Sequence, residues 1–168
     1  MKTLAITALL ASLALTACQR DEPRGVADIT GRMFVFNYRV GQASYLVTLK
    51  RTAPVKDGSR FDAEFENPRG GAAIVLSGRL WPKDERIVIQ SPPVECVKRD
   101  RSYQVTIRLK APDGHVMQTI ETSIISDTDQ SLLPAKSLVV GPLYTPNPEV
   151  FRPDGTVNMM PAQGCPAS

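Results

Sequence analysis

One histidine, His115, and three cysteines, Cys18, Cys96 and Cys165, are the whole imidazole and thiol inventory of this 168-residue chain. A zinc site of the usual kind needs three or four such ligands together, and these are scattered. Ser-His-Asp catalysis would have to use His115, which stands beside Gly114 in a turn sequence, and no serine occupies a G-x-S-x-G elbow. His115 is read as a solvated imidazole. Asp62, Glu64 and Glu66 are closely spaced carboxylates, the residue type that glycoside hydrolysis uses in pairs. Their spacing of two puts all three on one face of a strand, opposite Phe61, Ala63 and Phe65, so a wet outer face is the expectation. Asp127 and Asp129 offer oxygens to calcium, but the EF-hand pattern and its glycine are absent, which favours a solvated turn. Arg69-Gly70-Gly71 lacks the lysine and helix of a phosphate loop. The chain is read as a non-enzyme with no catalytic residue, no cofactor and no metal site.

Basic residues are the remaining candidates. Lys98, Arg99 and Arg101 cluster beside Cys96, and Arg108 and Lys110 extend the cluster along the outer face of the next strand. Such a patch suits lipid headgroups, anionic polysaccharide or an acidic partner. Twenty basic against seventeen acidic residues give a net charge of +3, too small to predict nucleic-acid binding.

The address of the protein lies in its first nineteen residues, MKTLAITALLASLALTACQ. Lys2 supplies the charge of an n-region. Residues 4–15 are apolar except for Thr7 and Ser12, a length that suits an export signal. A membrane span needs about 20 apolar residues, and polar residues follow at once from Gln19. Leu15-Thr16-Ala17-Cys18 resembles the lipobox of bacterial lipoproteins. The resemblance implies cleavage after Ala17, acylation of Cys18 and attachment to a bilayer through that residue. Gln19, where an aspartate would imply retention at the inner membrane, implies the outer membrane. Two or more acyl chains anchor stably where one anchors marginally. With Cys18 assigned to lipid in a compartment where disulfides persist, Cys96 and Cys165 are the natural disulfide pair. That bond would tie down the C-terminal tail.

The pattern of the mature chain is that of strands. Residues 18–28 read as the lipidated cysteine and a polar tether. From Ile29 to Gly141, period-two alternation recurs with turn signals every 8–12 residues, the spacing of a sandwich or barrel. The clearest strands place Tyr45, Val47 and Leu49 on one face, then Phe61, Ala63 and Phe65, then Tyr103, Val105, Ile107 and Leu109. Val116, Ile120 and Ile124 continue the pattern after the turn Ala111-Pro112-Asp113-Gly114. Residues 72–81 are nearly continuously apolar, which predicts a central strand covered on both faces, with a bulge at Gly78. Seven of the fourteen prolines lie from Pro134 onward. Residues 142–168 are expected to run extended over the surface, pinned by Tyr144, Val150, Phe151, Met159 and Met160. Trp81 is assigned to core or strand-end packing. The expected fold is all-β, an immunoglobulin-like β-sandwich of about seven strands with an extended proline-rich tail; a small β-barrel is second. The expected role is a lipid-anchored envelope binding or accessory protein, with an unknown envelope protein as partner. An envelope glycan-binding or hydrolase-inhibitor lipoprotein is the alternative.

Overall fold

Alternating apolar side chains leave water together when two sheets close face to face. The computed structural model of the protein describes residues 25–166. Cys18, the lipobox and most of the tether lie outside the described residues. Seven strands form the body: β1 (Ala27–Asn37), β2 (Gln42–Arg51), β3 (Arg60–Phe65), β4 (Ile74–Arg79), β5 (Arg86–Gln90), β6 (Ser102–Lys110) and β7 (Val116–Ile125). They make two open sheets, β1-β2-β5 and β4-β3-β6-β7, with every neighbouring pair antiparallel. This is an immunoglobulin-like sandwich and not a closed barrel. It differs from the constant-type domain in one strand: the fourth pairs with the third instead of the fifth.

The inward residues are those that the alternation selects. Tyr45, Val47 and Leu49 of β2, Phe61, Ala63 and Phe65 of β3, and Tyr103, Val105, Ile107 and Leu109 of β6 are all buried in one core. Aromatic rings join the sheets at one end: Phe34 lies 4.4 Å from Tyr45 and 5.3 Å from Tyr103, and Tyr45 lies 5.1 Å from Phe65, between ring centroids. Such pairs contribute about 0.5–1.5 kcal/mol beyond their burial.

Several local expectations are corrected. β1 begins at Ala27, two residues before Ile29. The side-chain amide of Gln118 on β7 accepts from the Ala27 N–H and donates to the Ala27 carbonyl, both at 2.9 Å, so one side chain supplies what a strand neighbour would. β1 ends at Asn37, where the turn into β2 begins. β4 is an edge strand, not a central one, and its outward residue Val75 is 61% exposed. Its register on β3 is unbroken, so Gly78 marks no bulge. A Cβ there would stand 2.4 Å from the Phe61 ring, and glycine is what lets that ring lie flat on the strand. The bulge falls instead in β7, where Lys110 pairs with Val116 although Leu109 pairs with Gln118. One extra residue flips side chains to the other face, so Val116 is exposed and Met117 packs on the core.

The tail is also less extended than expected. β8 (Val139–Val140) pairs with β9 (Thr145–Pro146), so a division at residue 142 cuts through a hairpin. Of the five expected pins only Val150 is buried; Tyr144, Phe151, Met159 and Met160 are exposed. Buried Asn147 fastens the hairpin, donating from Nδ2 to the Ser137 carbonyl at 2.7 Å and from its N–H to the Leu138 carbonyl at 2.9 Å.

Candidate functional site

Lys98, Arg99 and Arg101 sit on the connection from β5 to β6, and that connection is held unusually firmly. Pro92 and Pro93 end the ladder after β5, as the missing N–H groups require. The chain then passes through Cys96 and Asp100 at φ of +70° and +59°, a left-handed conformation that costs non-glycine residues about 1–3 kcal/mol each. Buried Gln130 clamps it: Nε2 donates to the Val94 carbonyl at 2.9 Å, and Oε1 accepts from the Val97 N–H at 3.0 Å. Tyr103, at the start of β6, accepts from the Lys98 N–H at 2.7 Å. This is the tyrosine corner of immunoglobulin-like domains. Cys96 and Cys165 are joined at 2.04 Å across 69 residues of chain. Arg69 adds a second tie to the tail, donating to the Gln163 carbonyl at 3.3 Å and pairing with Glu95.

Between the loop and the tail lies an open cleft of about 650 Å³ lined by Cys96, Lys98, Arg99, Asp100, Arg101 and Asp129. The three cations share it with acids. Arg101 pairs with Glu66 at 2.8 Å and lies 4.8 Å over the Tyr103 ring. Arg99 Nε donates to the Asp127 carbonyl at 2.7 Å. Asp129 is pushed up by burial, but hydrogen bonds from Ser131 and the nearby Lys98 charge outweigh this and leave its carboxyl below the usual range. The cluster is a mixed-charge rim and not a basic patch.

Arg108 and Lys110 continue from Arg101 along the outer face of β6, but as ion pairs and not as free cations. They face the outer carboxylates of β3, Lys110 with Asp62 at 2.5 Å and Arg108 with Glu64 at 2.6 Å. With Arg101 and Glu66, these pairs form a ladder across the outer face of the β3–β6 pair. A glycosidase acid needs a raised pKa. Lys110 and Ser77, by hydrogen bonding to Asp62, move its carboxyl the other way, below the usual value. His115 is exposed in its turn, its N–H donating to Asp113 Oδ1 at 3.0 Å. Asp129 Oδ1 accepts from the Ser131 N–H at 2.8 Å and caps a short 3-10 turn, Gln130–Leu132. Among the described residues no three His, Cys, Asp or Glu side chains converge on one point. Of the two places expected for Trp81, it takes the strand end and not the core: it follows β4, is 51% exposed, and has the Arg79 guanidinium 4.2 Å over its ring.

The second candidate is a strand edge. The Leu80 N–H donates to the Ser59 carbonyl at 2.9 Å. Counting back by two, Gly78, Leu76 and Ile74 face β3, which leaves Val75, Ser77 and Arg79 with N–H and C=O pointing off the sheet. On the opposite side of the sandwich, β1 carries a bulge after Ile29 and the charged Arg32 at an inward position, and β7 carries its own bulge and the Gln118 clasp. Those are the devices that keep an edge from pairing; among the described residues the β4 edge has no bulge and no strand paired beyond it.

Sequence reasoning missed Gln130 and the corner role of Tyr103. A tyrosine five residues beyond Lys98, opening an alternating strand, was the available signal for the corner. Nothing local marks Gln130, whose partners lie 33 and 36 residues away.

No protein-family model matches the chain, and no curated protein does. Among solved structures, wild-type OgpA from Akkermansia muciniphila is similar at 13% identity and a TM-score of 0.38, over 64% of this chain and 30% of that one. Catalytically inactive OgpA in complex with an O-glycopeptide substrate aligns at 13% identity and the same TM-score, over 69% of this chain and 33% of that one. An endonuclease/exonuclease/phosphatase from Beutenbergia cavernae aligns at 13% identity and a TM-score of 0.29, over 56% of this chain and 27% of that one. The chain thus spans about a third of the OgpA length or less, and likenesses of this order carry no argument about activity.

Proposed function

We propose that this protein is a lipid-anchored, non-enzymatic binding or accessory protein of the bacterial cell envelope, held at the outer membrane by acylated Cys18 and engaging an envelope protein by strand addition. The sequence Leu15-Thr16-Ala17-Cys18 supports the anchor. The bare β4 edge is the single observation that carries the binding mode: an extended partner segment would receive three residues' worth of unpaired backbone groups, and Val75 would offer it an apolar contact. The outer acids beside that edge, Asp62, Glu64 and Glu66, are each already engaged in an ion pair.

Proline in place of Ser77 removes one outward N–H and blocks pairing along that edge. Affinity purification of the detergent-solubilised wild-type protein should recover a stoichiometric envelope protein that the Ser77→Pro variant, still folded by circular dichroism, loses. Equal recovery by both would contradict strand addition at β4. The cleft beside Lys98 and Arg101 favours the second reading, an envelope glycan or a hydrolase as ligand; retention of only such a ligand, unaffected by Ser77→Pro, would select it.

A further inference from the structure

All connections at one end of the sandwich gather around the start of β1. The Thr52 N–H donates to the Val26 carbonyl at 2.9 Å, and the Arg51 N–H to the Glu85 carbonyl at 2.8 Å. The segments that meet here, 25–28, 50–60, 79–86 and 110–116, carry eight Lys or Arg against five Asp or Glu. The segments at the opposite end, 37–42, 65–74, 90–102 and 125–166, carry seven of each. The difference persists after pairing: among the described residues six cations and four acids are left without an ion pair at the β1 end, and four of each at the opposite end. At the opposite end Arg69, Arg101 and Lys136 are tied to Glu95, Glu66 and Glu149. At the β1 end Arg79 pairs with Asp57 and Lys110 with Asp62. Lys50, Lys56, Arg60, Lys83 and Arg86 are exposed and make no ion pair among the described residues. Trp81, the one tryptophan of the chain, stands among them, its carbonyl and that of Pro82 accepting from Arg51 Nη1 at 3.2 and 2.6 Å.

We propose that this basic, tryptophan-bearing end of the domain docks on a bilayer surface that contains anionic phospholipid. The proposal rests on the lipid anchor at Cys18. Six residues lie between Cys18 and Gly25, a reach of at most about 25 Å. The tether therefore enters at the end where the free cations lie, and brings them toward headgroups within range of attraction that acts over about 8 Å in physiological salt. Lys and Arg near an anionic surface each favour the bound state by roughly fivefold, and a tryptophan ring, apolar with one polar edge, suits the headgroup layer. Docked in this way, the domain presents its disulfide-tied tail and the cleft beside Lys98 away from the bilayer, and the β4 edge along its flank.

The sole tryptophan is a built-in reporter. The acylated protein would be reconstituted into vesicles of phosphatidylcholine alone or with phosphatidylglycerol, each carrying a headgroup-level spin-label quencher, and Trp81 emission followed beside vesicle flotation. Docking predicts stronger quenching in the anionic vesicles and its reversal by salt. Replacing the three cations (Arg60→Gln, Lys83→Gln, Arg86→Gln) should lower the docked-to-free ratio on the order of a hundredfold. Equal quenching in both vesicle types, with the protein still floating, would overturn docking and leave the anchor standing. Protein that fails to float would overturn both.

Discussion

Tyr103 shows how one side chain can set a loop that lies outside its own strand. Its ring belongs to the core, and its hydroxyl reaches back to the Lys98 N–H at 2.7 Å, inside the connection that carries the basic cluster. Tyr103→Phe keeps the ring and leaves that N–H without its partner, at a cost of about 1–3 kcal/mol. Urea denaturation should show a lower midpoint at unchanged slope. Asp62 offers a test by pH. Lys110 and then Ser77 hold its carboxyl below the ordinary value of 3.8, so the ionised form is favoured more in the folded than in the unfolded chain. Its contribution is present above pH 3.8 and is lost as pH falls through the lower folded value. The pair is partly exposed, so the effect is under about 1 kcal/mol. Asp62→Asn should narrow the stability difference between pH 7 and pH 2.5, measured by denaturant midpoint; an unchanged difference would remove the pair from the account. Inward alternation at Tyr103 and outward alternation at Asp62 were legible in the sequence, because period two depends on neighbours. Their hydrogen-bond partners across the fold were not.

Among the elements, the strands with one wet face were readable and β4 was not. A nearly continuous apolar run ordinarily means burial on both faces. In β4 it marks an uncovered edge, and only the pairing order distinguishes the two. The β7 bulge was hidden for a similar reason: its hairpin turn is plain in Pro112-Asp113-Gly114, but the extra residue at Met117 shows only against the register of β6. The proline content of the tail predicts an extended path, whereas Asn147 and the β8–β9 pairing fold its start into turns. What ties that tail to the domain is the bond from Cys96 to Cys165. Closing a loop of this length constrains the unfolded chain by about 4 kcal/mol in the chain-entropy model. Cys165→Ser should lower stability by up to that amount and make residues C-terminal to the β8–β9 hairpin newly sensitive to protease, read by mass spectrometry of limited digests. Unchanged digestion would mean that the hydrogen bonds from Arg69 to Gln163 and from Ala135 to Met160 suffice.

At the scale of the whole molecule, the two ends of the sandwich differ. The end at which β1 begins carries an excess of cations over acids, and Trp81. The other carries a braced loop, a disulfide and balanced charge. The fold class was legible in the sequence because regular turns and alternating faces admit few architectures. The polarity between ends was not, because it sums charges from four separate segments that only the topology assembles. The central claim is that Cys18 carries acyl chains and holds this sandwich at a membrane. It is tested most directly by labelling producing bacteria with radioactive palmitate and comparing the wild-type protein with Cys18→Ser. The account predicts label in the wild type, and in the variant an unlabelled chain that keeps residues 1–17. A wild-type protein without label, or a variant processed as the wild type is, would contradict it.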